Sequence, residues 1–206
     1  MKIWLLVLAL GLALAGCGRH RPAPPRAAPP APPAPRPEVC GNCIDDDGDG
    51  DVDWADADCC AHPVELRIDR VRVRRPRPDA PAEVKLGTAL AGAGVGEANP
   101  LIDDVGIQLR CDSGKPLCLT VGHEQWTRQE GKYRFQDATR RRARGLAAAV
   151  VGVRPDGSVA VRIDDLEVPI EGCAPGDLVA TVRVGNHCAS RSVKLRAGER
   201  GELRFP

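Results

Sequence analysis

The sequence predicts a mainly β protein, an antiparallel sandwich-like domain preceded by a small acidic segment rich in cysteine. Three observations predict it. Apolar residues alternate with charged ones over short runs after residue 62, the period of half-buried strands. Clusters of Gly, Pro, Asp and Ser separate those runs, as turns do. Eight cysteines beyond residue 38 fall in two even groups, Cys40, Cys43, Cys59, Cys60 and Cys111, Cys118, Cys173, Cys188, which reads as two disulfide sets in a chain that leaves the cytosol.

The export signal comes first. Lys2 precedes an unbroken apolar run from Ile3 to Ala15, followed by Gly16 and Cys17; residues 1–16 are therefore expected to be a cleaved signal peptide, because a membrane-spanning helix needs about 20 apolar residues. Leu14-Ala15-Gly16-Cys17 resembles the lipobox of bacterial lipoproteins. The resemblance implies a lipid on Cys17 and attachment to a membrane, with burial contributing about 0.8 kcal/mol per CH₂. Gly18, rather than Asp, follows Cys17, which favours the outer membrane within the cell envelope. Residues 17–37 are the lipidated Cys and a Pro/Ala/Arg spacer; Pro recurs too often for a helix, and an extended chain at about 3.1 Å per residue would span roughly 60 Å.

Residues 38–61 hold Glu38, eight Asp and no base. Counted from Asp45, carboxylates stand at the first, third, fifth, ninth and twelfth places (Asp45, Asp47, Asp49, Asp53, Asp56), with Gly50 sixth and Asp51 seventh. That is the spacing of an EF-hand-type calcium loop, in which Gly allows the sharp turn and the seventh residue offers its carbonyl. The ligand set expected for calcium is thus Asp45, Asp47, Asp49, Asp51, Asp53 and Asp56. The stretch resembles the thrombospondin type 3 repeat over about residues 38–60, with Asp58 and Cys59 setting the cysteine one place later and Trp54 and Cys43 standing where bacterial relatives often have Cys and Gly. The resemblance implies calcium coordination and leaves the disulfide pairing open. A zinc site from Cys40, Cys43, Cys59, Cys60 and His62 is the rival, disfavoured by export.

From His62 the alternation begins: Val64, Leu66, Ile68, Val71 and Val73, then Val159, Val161 and Ile163, then Val182 and Val184. Residues 62–206 form the β domain. Asp137 to Val151 has helix-forming composition, although its Ala-Val end reads equally as a buried strand. Residues 118–135 align without gaps on residues 188–205, sharing Cys, Gly, Arg and Phe at four places; two β units, 62–135 and 136–206, packed face to face would hide the apolar face of each. Cys111 and Cys118 enclose a hairpin loop and are expected to pair; Cys173 and Cys188 bracket a strand and are expected to cross-link neighbours.

The net charge of +1 lacks the basic excess of a nucleic-acid protein. His123-Glu124 lacks the second His of a metalloprotease helix, and Ser158 lacks a nucleophile elbow. No catalytic residue is therefore assigned. The expected function is a membrane-tethered, calcium-stabilised structural or binding module that meets a polymer or protein of the cell envelope. The alternatives are a glycan-directed enzyme using Asp164 and Asp165, and a binder of anionic polymer through Arg140, Arg141, Arg142 and Arg144.

Overall fold

The computed structural model describes residues 36–75, 80–112, 114–169 and 173–205. The expected signal peptide, Cys17 and the spacer up to residue 35 lie outside the described residues. The described chain is mainly β, as the alternation predicts: β1 (His62–Pro63), β2 (Glu65–Arg74), β3 (Ala82–Ala91), β4 (Val105–Cys111), β5 (Leu117–Val121), β6 (Thr127–Gln129), β7 (Lys132–Gln136), β8 (Leu146–Val153), β9 (Val159–Val168), β10 (Gly176–Val184), β11 (His187–Ala197) and β12 (Glu202–Phe205). Among the described residues the only helical elements are short 3₁₀ turns.

The strands form one curled sheet in the order β5-β4-β10-β11-β12-β2-β3-β9-β8-β7-β6, antiparallel throughout, with β1 running parallel to β11 off this path. Each alternating run puts its apolar side chains on the concave face. Leu66 and Ile68, then Val71 and Val73, are buried in β2; the phase slips by one between the two pairs, where a bulge inserts a residue opposite β3. The core is built almost wholly of Val, Leu, Ile and Ala, with Trp126 and Phe135 as a tilted aromatic pair 6.0 Å apart.

The pairing repeats itself. The β2–β3 ladder of residues 62–135 has its counterpart in β8–β9, β4–β5 in β10–β11, and β7–β8 in β12–β2. β3–β9 and β4–β10 then join like strands across the middle. The two halves nevertheless do not stack as two separate sheets, as the sequence led one to expect. Their strands interleave, because β7 pairs with β8 and β12 with β2, so the last strand of each half covers the edge that the first strand of the other would leave open.

Residues 137–145 are turns rather than a helix, and the Ala-Val run is strand β8. Asp137 organises this loop. Its carboxylate accepts bonds from Thr139 N at 3.0 Å, Thr139 Oγ1 at 2.6 Å and Arg142 N at 2.8 Å. The Thr139 hydroxyl and the backbone donors hold its pKa down to about 2.

The disulfides correct the sequence reading. Cys40 joins Cys59, Cys43 joins Cys118, Cys60 joins Cys188 and Cys111 joins Cys173. Cys111 and Cys118 do not pair with each other, because the β4–β5 register sets Cys118 opposite Gln108. Cys111 lies an odd number of residues from Gln108 and so faces the other side of the sheet. Cys173 and Cys188 are far apart because Cys173 precedes β10 while Cys188 stands opposite Arg183, near that strand's end. With all eight sulfurs bonded, no thiolate is left among them for zinc.

Candidate metal centre

The acidic segment is laid across the outer face of β5, β4, β10 and β11. Cys43 ties it to β5 and Cys60 ties it to β11, both with Cα atoms under 6 Å apart (5.6 and 5.8 Å). Trp54, only 2% exposed, fills the space over Gly106 in β4. This cover explains why β4 is buried on both faces. Val105, Ile107 and Leu109 enter the core while Gln108, beside the fully buried Thr181 of β10, lies on the opposite face.

Within the segment, short Asp-to-backbone bonds set the loop. Asp45 accepts from Gly48 N at 2.6 Å and from Gly50 N at 3.1 Å. Asp47 accepts from Asp49 N at 3.0 Å, and Asp49 from Asp51 N at 2.8 Å. Gly48 and Gly50 both take positive φ, 83° and 101°, which glycine adopts without steric cost.

These turns gather carboxylates into two overlapping groups. Oxygens of Asp45, Asp47 and Asp49 lie within 4.8 Å of one another, and so do oxygens of Glu38, Asp47 and Asp56. Ligands on opposite sides of a calcium ion stand about 5 Å apart, twice a bond of roughly 2.4 Å, so both groups have the span of an oxygen coordination shell. Asp51 is exposed and Asp53 is turned away from the groups. The Asp53 carboxylate instead accepts the backbone N–H groups of Gly41, of Asn42 at 2.9 Å and of Cys43 at 2.8 Å. It is a buried clasp for the chain around Cys40 and Cys43.

Glu38 is the residue that spacing alone missed. It is buried and accepts from Asp46 N and Asp53 N, each at 2.8 Å, so it bridges the two ends of the loop while facing Asp47 and Asp56. Its only signal in the sequence is an isolated acid two residues before Cys40.

Asp56 carries the tension of the arrangement. It is 2% exposed; Oδ1 accepts from Asp58 N at 2.7 Å, and Oδ2 is buried with no hydrogen-bond partner. The bond from the Asp58 amide favours its charge, but desolvation and the negative charges of Asp49, Asp47 and Asp58 outweigh it, and its pKa is raised. A buried carboxylate oxygen without a donor is costly, and a cation would relieve both terms at once.

Other candidates take different roles. Asp164 pairs with Arg162 at 2.9 Å and Asp165 with Arg140 at 2.8 Å, so the two are separate ion pairs rather than a carboxylate dyad. Arg140 also meets Glu167 at 3.4 Å, and Arg144 donates to the Cys118 carbonyl at 3.3 Å. His123 pairs with Asp104 at 3.1 Å on the surface; the bonds and charge of His123, with Arg183, outweigh the desolvation of Asp104 and lower its pKa. His62 and His187, distant in sequence, meet in a β1–β11 pair with rings 5.6 Å apart beside a cleft of about 890 Å³.

Fold and site together define a disulfide-linked antiparallel β protein with a clamped acidic loop. Compared with known proteins, the chain matches no family model, no curated protein and no solved structure.

Proposed function

We propose that the chain is a calcium-stabilised binding module of the cell envelope, held to a membrane through lipid on Cys17. The observation that carries the calcium reading is Asp56 Oδ2, buried and unmatched beside the oxygens of Glu38 and Asp47. The donor set is wholly oxygen, as a hard cation prefers. The proposed ligands are Asp45, Asp47, Asp49, Asp56 and Glu38, with Asp53 supporting the loop from behind. The ion's role is structural: it neutralises like charges that at about 5 Å repel by roughly 0.8 kcal/mol per pair even in water, and it locks the segment that covers β4 and β10. The lipid and envelope address rest on the sequence from Lys2 to Cys17.

The test is calorimetric titration of the full chain, disulfides intact, with calcium. Saturable binding that Asp56→Asn abolishes, and a melting temperature that falls on chelation, are expected; at calcium 100 times Kd the gain is about 2.7 kcal/mol. A silent titration up to millimolar ion removes calcium from the account.

A further inference from the structure

The convex face opposite the core carries a basic groove assembled from five strands. One lateral row reads Arg70, Gly87, Arg162, Val150, Arg134, each residue standing opposite the next on β2, β3, β9, β8 and β7. Residues in lateral register share a face, so this row is a single line across the sheet. Its three arginines occupy alternate strands, placing their Cα atoms about 10 Å apart, two strand spacings. Gly87 between the first two contributes no side chain.

The adjoining floor is equally low. Gly152 stands opposite Ala160, and a Cβ on Gly152 would touch Lys132 Cγ at 3.5 Å. The result is a groove of about 480 Å³ walled by Arg70, Lys132, Arg134, Arg154 and Arg162, with Asp69 its one acidic lining residue. Asp69 is engaged by Arg154 at 2.7 Å. Arg162 meets Asp164 through Nε, and Arg134 reaches exposed Glu130 only at 4.0 Å, while its own Nε is buried without a partner. Arg70 and Lys132 have no acidic partner among the described residues. Of the five cations, Arg70 and Lys132 are therefore unmatched among the described residues and Arg134 is held only at the limit of an ion pair, in contrast to Arg140, which meets both Asp165 and Glu167.

We infer that this groove binds an extended polyuronate, an acidic polysaccharide that turns the carboxylate of every second sugar toward the arginine row. Guanidinium groups prefer oxyanions that they can engage with two parallel bonds. The row runs across strands, at a regular interval, over a shallow floor of Gly87, Gly152, Ala160 and Val150 on which a sugar face can rest. In an extended two-fold polyuronate ribbon successive carboxylates point to opposite sides, so those on one side recur at every second sugar, close to that interval. A groove suits a chain better than it suits the flat surface of a bilayer, and its apolar lining, Val150, Val153 and Val161 beside Ala160, offers a surface for the apolar face of a sugar. The inference names a partner for the envelope module proposed above and rests on that reading for where the ligand is met. None of its residues belongs to the acidic loop.

The probe is polygalacturonate, titrated into the full chain in the presence of chelator, since calcium itself cross-links polyuronates. Neutral dextran and phosphatidylglycerol vesicles run in parallel. Saturable, salt-sensitive binding to the polyuronate is expected, weakened about tenfold or more by Lys132→Gln with Arg134→Gln. Gly152→Leu, which fills the floor without changing charge, should weaken it comparably; should that variant fail to melt cooperatively, the charge variant still decides. Arg141→Gln with Arg142→Gln removes the same charge from exposed positions elsewhere and should leave affinity within about twofold. Absence of binding, equal loss in both double variants, or binding to the vesicles but not the polyuronate overturns the inference. A calcium titration of the same preparations separates the two readings: failure of the loop shows as silence to calcium with polyuronate binding intact, and failure of the groove as the reverse.

Discussion

Trp54 occupies the place where a side chain on residue 106 would be: a methyl group built on Gly106 would come within 2.8 Å of three atoms of the indole ring. Two residues half a hundred positions apart in the chain thus share one volume. The acidic segment is for that reason a layer of the fold rather than a tether in front of it.

Gly106→Ala should separate these partners. The expected cost is about 1–3 kcal/mol, the range for overpacking a filled site, and Trp54→Ala should cost roughly 3–5 kcal/mol. Urea unfolding of both variants measures this. A neutral Gly106→Ala would mean that the indole does not lie where it is described.

Non-reducing peptide mapping should recover Cys43 linked to Cys118 and Cys60 linked to Cys188. Replacing Cys43 and Cys118 together by Ser should lower stability by about 2–4 kcal/mol, since the bond closes a long loop in the unfolded chain. Proteolysis should then cut first within the acidic segment. Recovery of a Cys111–Cys118 peptide would contradict the β4–β5 register.

Asp53 and Asp56 should fail differently when altered. Asp53→Ala strips three backbone N–H groups of their acceptor and should destabilise the protein by roughly 1–3 kcal/mol with or without calcium. Asp56→Asn should leave the ion-free protein as stable as the original or more so, because it removes a buried charge with an unmatched oxygen, while abolishing the calcium response. Melting curves of both variants in calcium and in chelator make the comparison. Identical profiles would dissolve the distinction between clasp and ligand.

Asp137 links stability to acid. Its pKa lies at about 2 in the folded protein against an ordinary 3.8, so the unfolded chain binds its proton first as pH falls. The stability it contributes is complete above about pH 4 and is lost as pH drops through about 2. Asp137→Asn should therefore melt lower than the parent at pH 7, and the gap should close toward pH 2. A gap that persists unchanged at pH 2 would mean that Asp137 acts through shape rather than charge.

Much of the fold was legible in neighbouring residues. The strands around Leu66, Val161 and Val182 follow directly from period-two alternation, and even the slip between Ile68 and Val71 is written there as a bulge. The helix-like composition of residues 137–145 misled because Asp137, by bonding the amides at 139 and 142, offers that backbone a turn instead. The candidate centre was half legible. Asp45, Asp47 and Asp49 gather in one group and Asp47 and Asp56 in another with Glu38, whereas Asp53 was indistinguishable from a ligand until its donors were in place. Glu38 was invisible because its approach to Asp47 and Asp56 is made by the clasp around Cys40 and Cys43.

By itself, then, the sequence determined what is local: which stretches extend, where they turn, and which short run concentrates carboxylates. Only the tertiary structure decided which distant residues meet, because the offset between paired strands depends on the packing of whole faces and is written in no single segment. That offset sends Cys118 toward Cys43 and Cys111 toward Cys173, sets Gly106 beneath Trp54, and lines up Arg70, Arg162 and Arg134 across strands that the chain visits at widely separated times.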